Sequence, residues 1–174
     1  MSQSMFDPAV LKAMGQTPEE VRTRLSVELD RFETQLRGRE ADWNTTQSGR
    51  EWSPAQEAEH VLKIDNSIVP LLRLLMSDKA LRPMPQVPGE IVDGKRQSPI
   101  ALLPSDEGLP FEALDTEWAE HRRKLEDMAA QVAETPGRTF WHQFFGEIDA
   151  LDWLRMVTMH MRNHRKLLEE SAAA

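Results

Sequence analysis

The chain has 174 residues, 40% of them hydrophobic and 29% charged, with a net charge of −8. That length fits one domain with a sizeable core, so residues 1–174 are expected to form a single unit, and the composition is too apolar for disorder. The absence of cysteine excludes disulfides, thiolate ligands and a cysteine nucleophile, and the acidic balance argues against a nucleic-acid partner.

Along the chain, the N-terminus MSQSMFDPAV has no basic n-region and no apolar h-region. No stretch approaches the ~18 apolar residues of a membrane span. A cytoplasmic protein without membrane contact is expected. Thr17-Pro18-Glu19-Glu20 then supplies an N-cap, a proline at the first helical position and a capping-box acid. Val21, Leu25, Leu29, Phe32 and Leu36 recur at three- and four-residue spacing, so a first helix runs to about residue 41. Ser53-Pro54-Ala55-Gln56 repeats the start signal, and Ile64, Ile68, Leu71 and Leu75 form the inward stripe of a second helix ending near Asp78. Pro70 is expected to kink or split it, because proline removes an amide donor and crowds the carbonyl of Asn66.

A third helix begins near Phe111 and carries Leu114, Trp118, His121, Leu125, Met128 and Val132 as a bundle seam, stopped by Thr135-Pro136-Gly137. A fourth starts after Asp149, with Trp153, Val157, His160, His164, Leu167 and Leu168 on one side and a frayed Ser-Ala-Ala-Ala tail. No strand pattern emerges. The expectation is an all-α four-helix bundle. The link at 42–52 is short, whereas 79–110 is long and holds six prolines. A 25-residue helix spans roughly 37 Å, and a link of that length can run back along it. Helices 2 and 3 are therefore expected to be parallel, in an up-down-down-up bundle with a long crossover. Such a loop reads either as a binding edge or as a plain return connection.

The chemistry centres on histidine. His160 and His164 lie four apart, on one helix face, where two imidazoles can bind one ion. They interrupt an apolar stripe, and a buried imidazole needs a partner or an ion. His60 stands seven residues into helix 2, roughly 10 Å along it, and His164 roughly 9 Å from the end of helix 4. If helices 2 and 4 are antiparallel, the three rings meet at one level, with His121 near it. Spacing alone leaves two readings open: a divalent metal site, or core histidines satisfied by hydrogen bonds. His121 is the candidate for second shell, fourth ligand or proton shuttle, against a reading as a core histidine. Glu57 and Glu59 read as pointing away from His60. His142, within Phe140-Trp141-His142-Gln143-Phe144-Phe145, reads as part of a plug at the bundle end, against a reading in ligand recognition, or as a dimer edge. Met156, Met159 and Met161 read as core filler and contact surface, and Trp43 and Trp52 as staples of the first link.

Trp52-Ser-Pro-Ala-Gln-Glu-Ala-Glu-His60 resembles the second-helix signature of the DinB-like (YfiT-like) metalloenzyme family. Phe145-Gly146, then Trp153 and His160-Met-Arg-Asn-His164, resemble the same family's ending. The resemblance implies a four-helix bundle with a crossover and a metal triad of His60, His160 and His164. It also implies one nickel, zinc or iron ion per chain and a homodimer. Members include transferases and isomerases that use low-molecular-weight thiols. The implied function is thus a metal-dependent transferase activating a thiol or water. The alternatives are a hydrolase, or a non-catalytic stress-response protein that holds a metal or small ligand. The 79–110 segment and His121 fall outside the family motif.

Overall fold

The computed structural model describes residues 4–172. Four long helices carry the architecture: α1 (Pro18–Arg37), α2 (Pro54–Leu75), α3 (Leu114–Ala129) and α4 (Ala150–Ala172). Their starts are chemically marked. The Thr17 hydroxyl accepts from Glu20 N at 3.2 Å, and the Glu20 carboxylate reaches back to Gln16 N. Ser53 and Gln56 complete a reciprocal capping box at the head of α2. Asp149 accepts from Asp152 N at the head of α4. Each device satisfies amides that have no partner inside the helix.

The apolar stripes meet in one core. Val21, Leu25, Leu29, Phe32 and Leu36 of α1 are all buried, as are Leu114, Trp118, Leu125 and Met128 of α3. Phe32 and Trp118 stack at 5.4 Å between centroids. Polar pairs link the helices in a definite order. Arg37 and Arg122 bond Asp115 and Asp30, so advancing along α3 means retreating along α1. Gln16, Glu28 and Arg39 meet Arg155, Arg165 and Leu168, advancing together along α1 and α4. Glu57 and His60 of α2 meet His164 and His160 of α4, in reverse order.

Several expectations change. The helix stretches end earlier, at Arg37 and Ala129, although Val132 of the expected third seam is still buried just past α3. α2 is not split at Pro70, because Pro70 and Asn66 face solvent, where water can serve the carbonyl that proline leaves unbonded. The absence of strands is corrected by two short hairpins, β1 (Ile91–Val92) with β2 (Lys95–Arg96) and β3 (Phe140–His142) with β4 (Gly146–Ile148). Strands of two or three residues are too short for alternation to register. The first hairpin turns on Asp93-Gly94, both at positive φ (51° and 76°), the signature of a tight two-residue turn. Ser171 and Ala172, expected to fray, are helical; the last two alanines and residues 1–3 of the N-terminal stretch lie outside the described residues. No helix among the described residues is long and apolar enough to cross a membrane.

Candidate metal centre

α2 and α4 bring His60, His160 and His164 together. One ligand nitrogen from each can be chosen so that all three lie within 4.8 Å of one another. His60 is buried, and the two α4 rings are half-buried with centroids 4.4 Å apart. Hydrogen bonds decide which nitrogen His60 and His164 offer. The Leu102 carbonyl accepts from His60 Nδ1 at 2.8 Å, which places the proton on Nδ1 and leaves the Nε2 lone pair free. The Glu57 carboxylate takes Nδ1 of His164 at 2.5 Å, with the same consequence. Nε2 of His60 lies 3.1 Å from Nε2 of His160. Two imidazole nitrogens sharing an ion at ~2.05 Å, at bond angles of 90–110°, stand roughly 2.9–3.4 Å apart. The His60–His160 pair therefore meets the spacing of a divalent ion, and all three rings supply its donor chemistry. His160 Nδ1 is buried without a partner among the described residues.

Electrostatics point the same way. Burial, aided by the nearby His164 charge, pushes His60 down to about 4. Withdrawal from water, with His164 and His60 alongside, holds His160 well below its ordinary value. Both rings are thus neutral at physiological pH, the form that donates to a metal.

Beside the triad opens a cavity of about 440 Å³, walled by Trp52, Met156, Met159, His142, Phe144 and the 95–99 stretch. Its lining corrects several sequence readings. Glu57 does not point away from His60. It is 6% exposed and holds His164, while Glu59 does turn away, to Ser105. The three-residue step from Glu57 to His60, one helical face, was the available signal. Trp52 is no staple. It stacks on His164 at 6.0 Å with an interplanar angle of 9° and lies 4.7 Å from His60. Trp43 does pin its loop, donating to the Leu109 carbonyl at 2.7 Å. Met156 and Met159 face the cavity, whereas Met161 is fully buried. His142 lines the cavity rather than serving only as a plug; burial, with the Arg96 charge, lowers it to about 4. The 79–110 segment contributes a wall and the carbonyl on His60, so it is more than a return connection.

His121 lies elsewhere. It bonds Asp65 at 2.6 Å in the core between α2 and α3 and does not line the cavity. Burial pushes the Asp65 carboxyl up, against the lowering influence of His121.

A helical bundle with three convergent histidines beside an open cavity defines a class of candidate metal-binding bundle proteins. The profile of the DinB superfamily matches residues 19–168, and the chain belongs to that superfamily. It is similar to the uncharacterized protein YuaE of Bacillus subtilis (strain 168), with 24% identity over 131 residues, covering 73% of this chain and 81% of that protein. It is also similar to the crystal structure of TT2238, a four-helix bundle protein, with a TM-score of 0.59 and 27% identity over 88% of this chain and 98% of that one.

Proposed function

We propose that this protein is a metal-dependent enzyme, a transferase that uses a low-molecular-weight thiol and holds one nickel, zinc or iron ion on His60, His160 and His164. The observation that carries the reading is the pair of fixed tautomers, His60 on the Leu102 carbonyl and His164 on Glu57, aiming Nε2 lone pairs beside an open cavity. A closed structural site would have no such opening. A divalent ion there would supply Lewis acidity, lowering the pKa of a thiol or water so that the nucleophile is anionic at neutral pH. The protein's own groups do the rest. Glu57 orients His164, Leu102 orients His60, and Trp52 shields two of the rings from water. Met156, Met159 and Phe144 give the substrate an apolar bed. His121 takes no direct part in this scheme, since it is committed to Asp65.

The same reading takes residues 1–174 as one DinB-like domain, cytoplasmic and homodimeric. It orders the helices up-down-down-up, with 79–110 as the crossover. The inter-helix pairs support that order, since Gln16, Glu28 and Arg39 advance with α4 while Glu57 and His60 oppose it.

The test is spectroscopic. Cobalt-substituted protein mixed with a small thiol is expected to develop a sulfur-to-metal charge-transfer band, which disappears in His160→Ala. A cobalt spectrum indifferent to every physiological thiol would reject the transferase reading and leave the triad to hydrolysis or to metal storage.

A further inference from the structure

Two exposed cations stand at the cavity. Lys95 and Arg96 of β2 both line the cavity, and neither forms an ion pair among the described residues. The two acids on the cavity wall, Glu51 and Glu57, form no ion pair with either cation. Glu57 is taken up by His164, Glu51 is exposed, and Arg50 is matched by Glu170 at 3.0 Å.

Arg96 is also held in place. Its guanidinium carbon sits 5.7 Å from the ring centre of Phe6 and 5.8 Å from that of Phe144, and its edge is left free of hydrogen bonds among the described residues. Packing against the rings lowers its pKa from the ordinary value, with no acid to oppose the loss of water. A bound anion would relieve that cost.

A neutral donor stands beside it. Nδ1 of His142 accepts from Phe144 N at 3.1 Å and Phe145 N at 3.3 Å, so the ring proton is on Nε2. No described residue accepts from that Nε2–H.

We propose that Arg96, with Lys95 and the Nε2–H of His142, forms a carboxylate-binding subsite, so that the cavity takes a small organic acid with an apolar body. The planar fork of an arginine matches a carboxylate in two parallel bonds, and Trp52, Phe144, Met156 and Met159 suit a hydrocarbon or aromatic body. A volume of about 440 Å³ is in the range of small-molecule sites. The inference rests on the proposed metal centre only for what the other end of the ligand meets. The carboxylate contact needs no ion.

The probes are phenylacetate, its neutral analogue phenylacetamide, and phenyl phosphate, titrated by calorimetry into apo- and cobalt-loaded protein. Phenylacetate is expected to bind at least about tenfold more tightly than phenylacetamide in both forms. Arg96→Gln should reduce that ratio to near one without altering the cobalt spectrum recorded before ligand is added, and Arg96→Lys should keep part of it. Equal binding of acid and amide by the wild type would overturn the subsite. A preference that survives Arg96→Gln would overturn it too, and if cobalt is needed for that preference the carboxylate sits on the ion. Phenyl phosphate binding tenfold more tightly than phenylacetate would reject the carboxylate class. Failure to take up cobalt would sink the metal-centre reading alone, because the apoprotein titration still reports on Arg96.

Discussion

Glu57 offers the sharpest test of how the centre is built. Its carboxylate is 6% exposed and bonds Nδ1 of His164 at 2.5 Å, which fixes the ring's tautomer and its rotation about the Cβ–Cγ bond. In Glu57→Ala the ring loses its acceptor and can present either nitrogen in several orientations. Loss of such a supporting carboxylate lowers metal affinity by about 10- to 100-fold, or about 1.4–2.7 kcal/mol. Glu57→Gln keeps an oxygen acceptor but removes the charge, and should fall near the lower end. Glu59→Ala is the control, since that carboxylate bonds Ser105 N and Oγ and touches none of the three rings. The assay is competition for zinc against a chelator of known affinity at pH 7.5, with circular dichroism to verify the helices. If Glu57→Ala binds zinc within twofold of wild type while remaining folded, the carboxylate does not support the site.

Other expectations concern stability and assembly. His60 sits at about 4 in the metal-free protein against an ordinary 6.5, so the unfolded chain protonates first as pH falls. Stability is therefore full above pH 6.5 and declines toward pH 4, by about 2 kcal/mol from this group at pH 5; urea titrations that give equal stability at pH 7 and pH 5 would contradict it. Gly108 has φ +70°, and a Cβ there would lie 2.4 Å from the Ala55 carbonyl carbon in the first turn of α2. Gly108→Ala should cost roughly 2 kcal/mol or more in thermal unfolding, and an unchanged melting temperature would show that this loop yields freely. The homodimer is checked by light scattering at tens of micromolar, where a monomer mass alone would dismiss it.

The sequence by itself determined the helices and most of the triad. Their signals are local: Thr17-Pro18 and Ser53-Pro54 start helices through contacts within one turn, and stripes such as Val21 to Leu36 repeat at the helical period. The four-residue step from His160 to His164 belongs to the same local grammar. Other features depended on tertiary structure, because they join residues far apart in the chain. Glu57 reaches His164 across 107 positions, and the Leu102 carbonyl meets His60 across 42. His121 matches the helix height of the triad, yet height along an axis says nothing of rotation about it, and α3 turns that ring toward Asp65. Trp52 and His142 carry no periodic signal, being in a loop and a three-residue strand, and only chain packing sets Trp52 against His60 and His164 and brings both residues to the same cavity. Helical period is written residue by residue, whereas a cavity wall exists only once separate segments have closed around it.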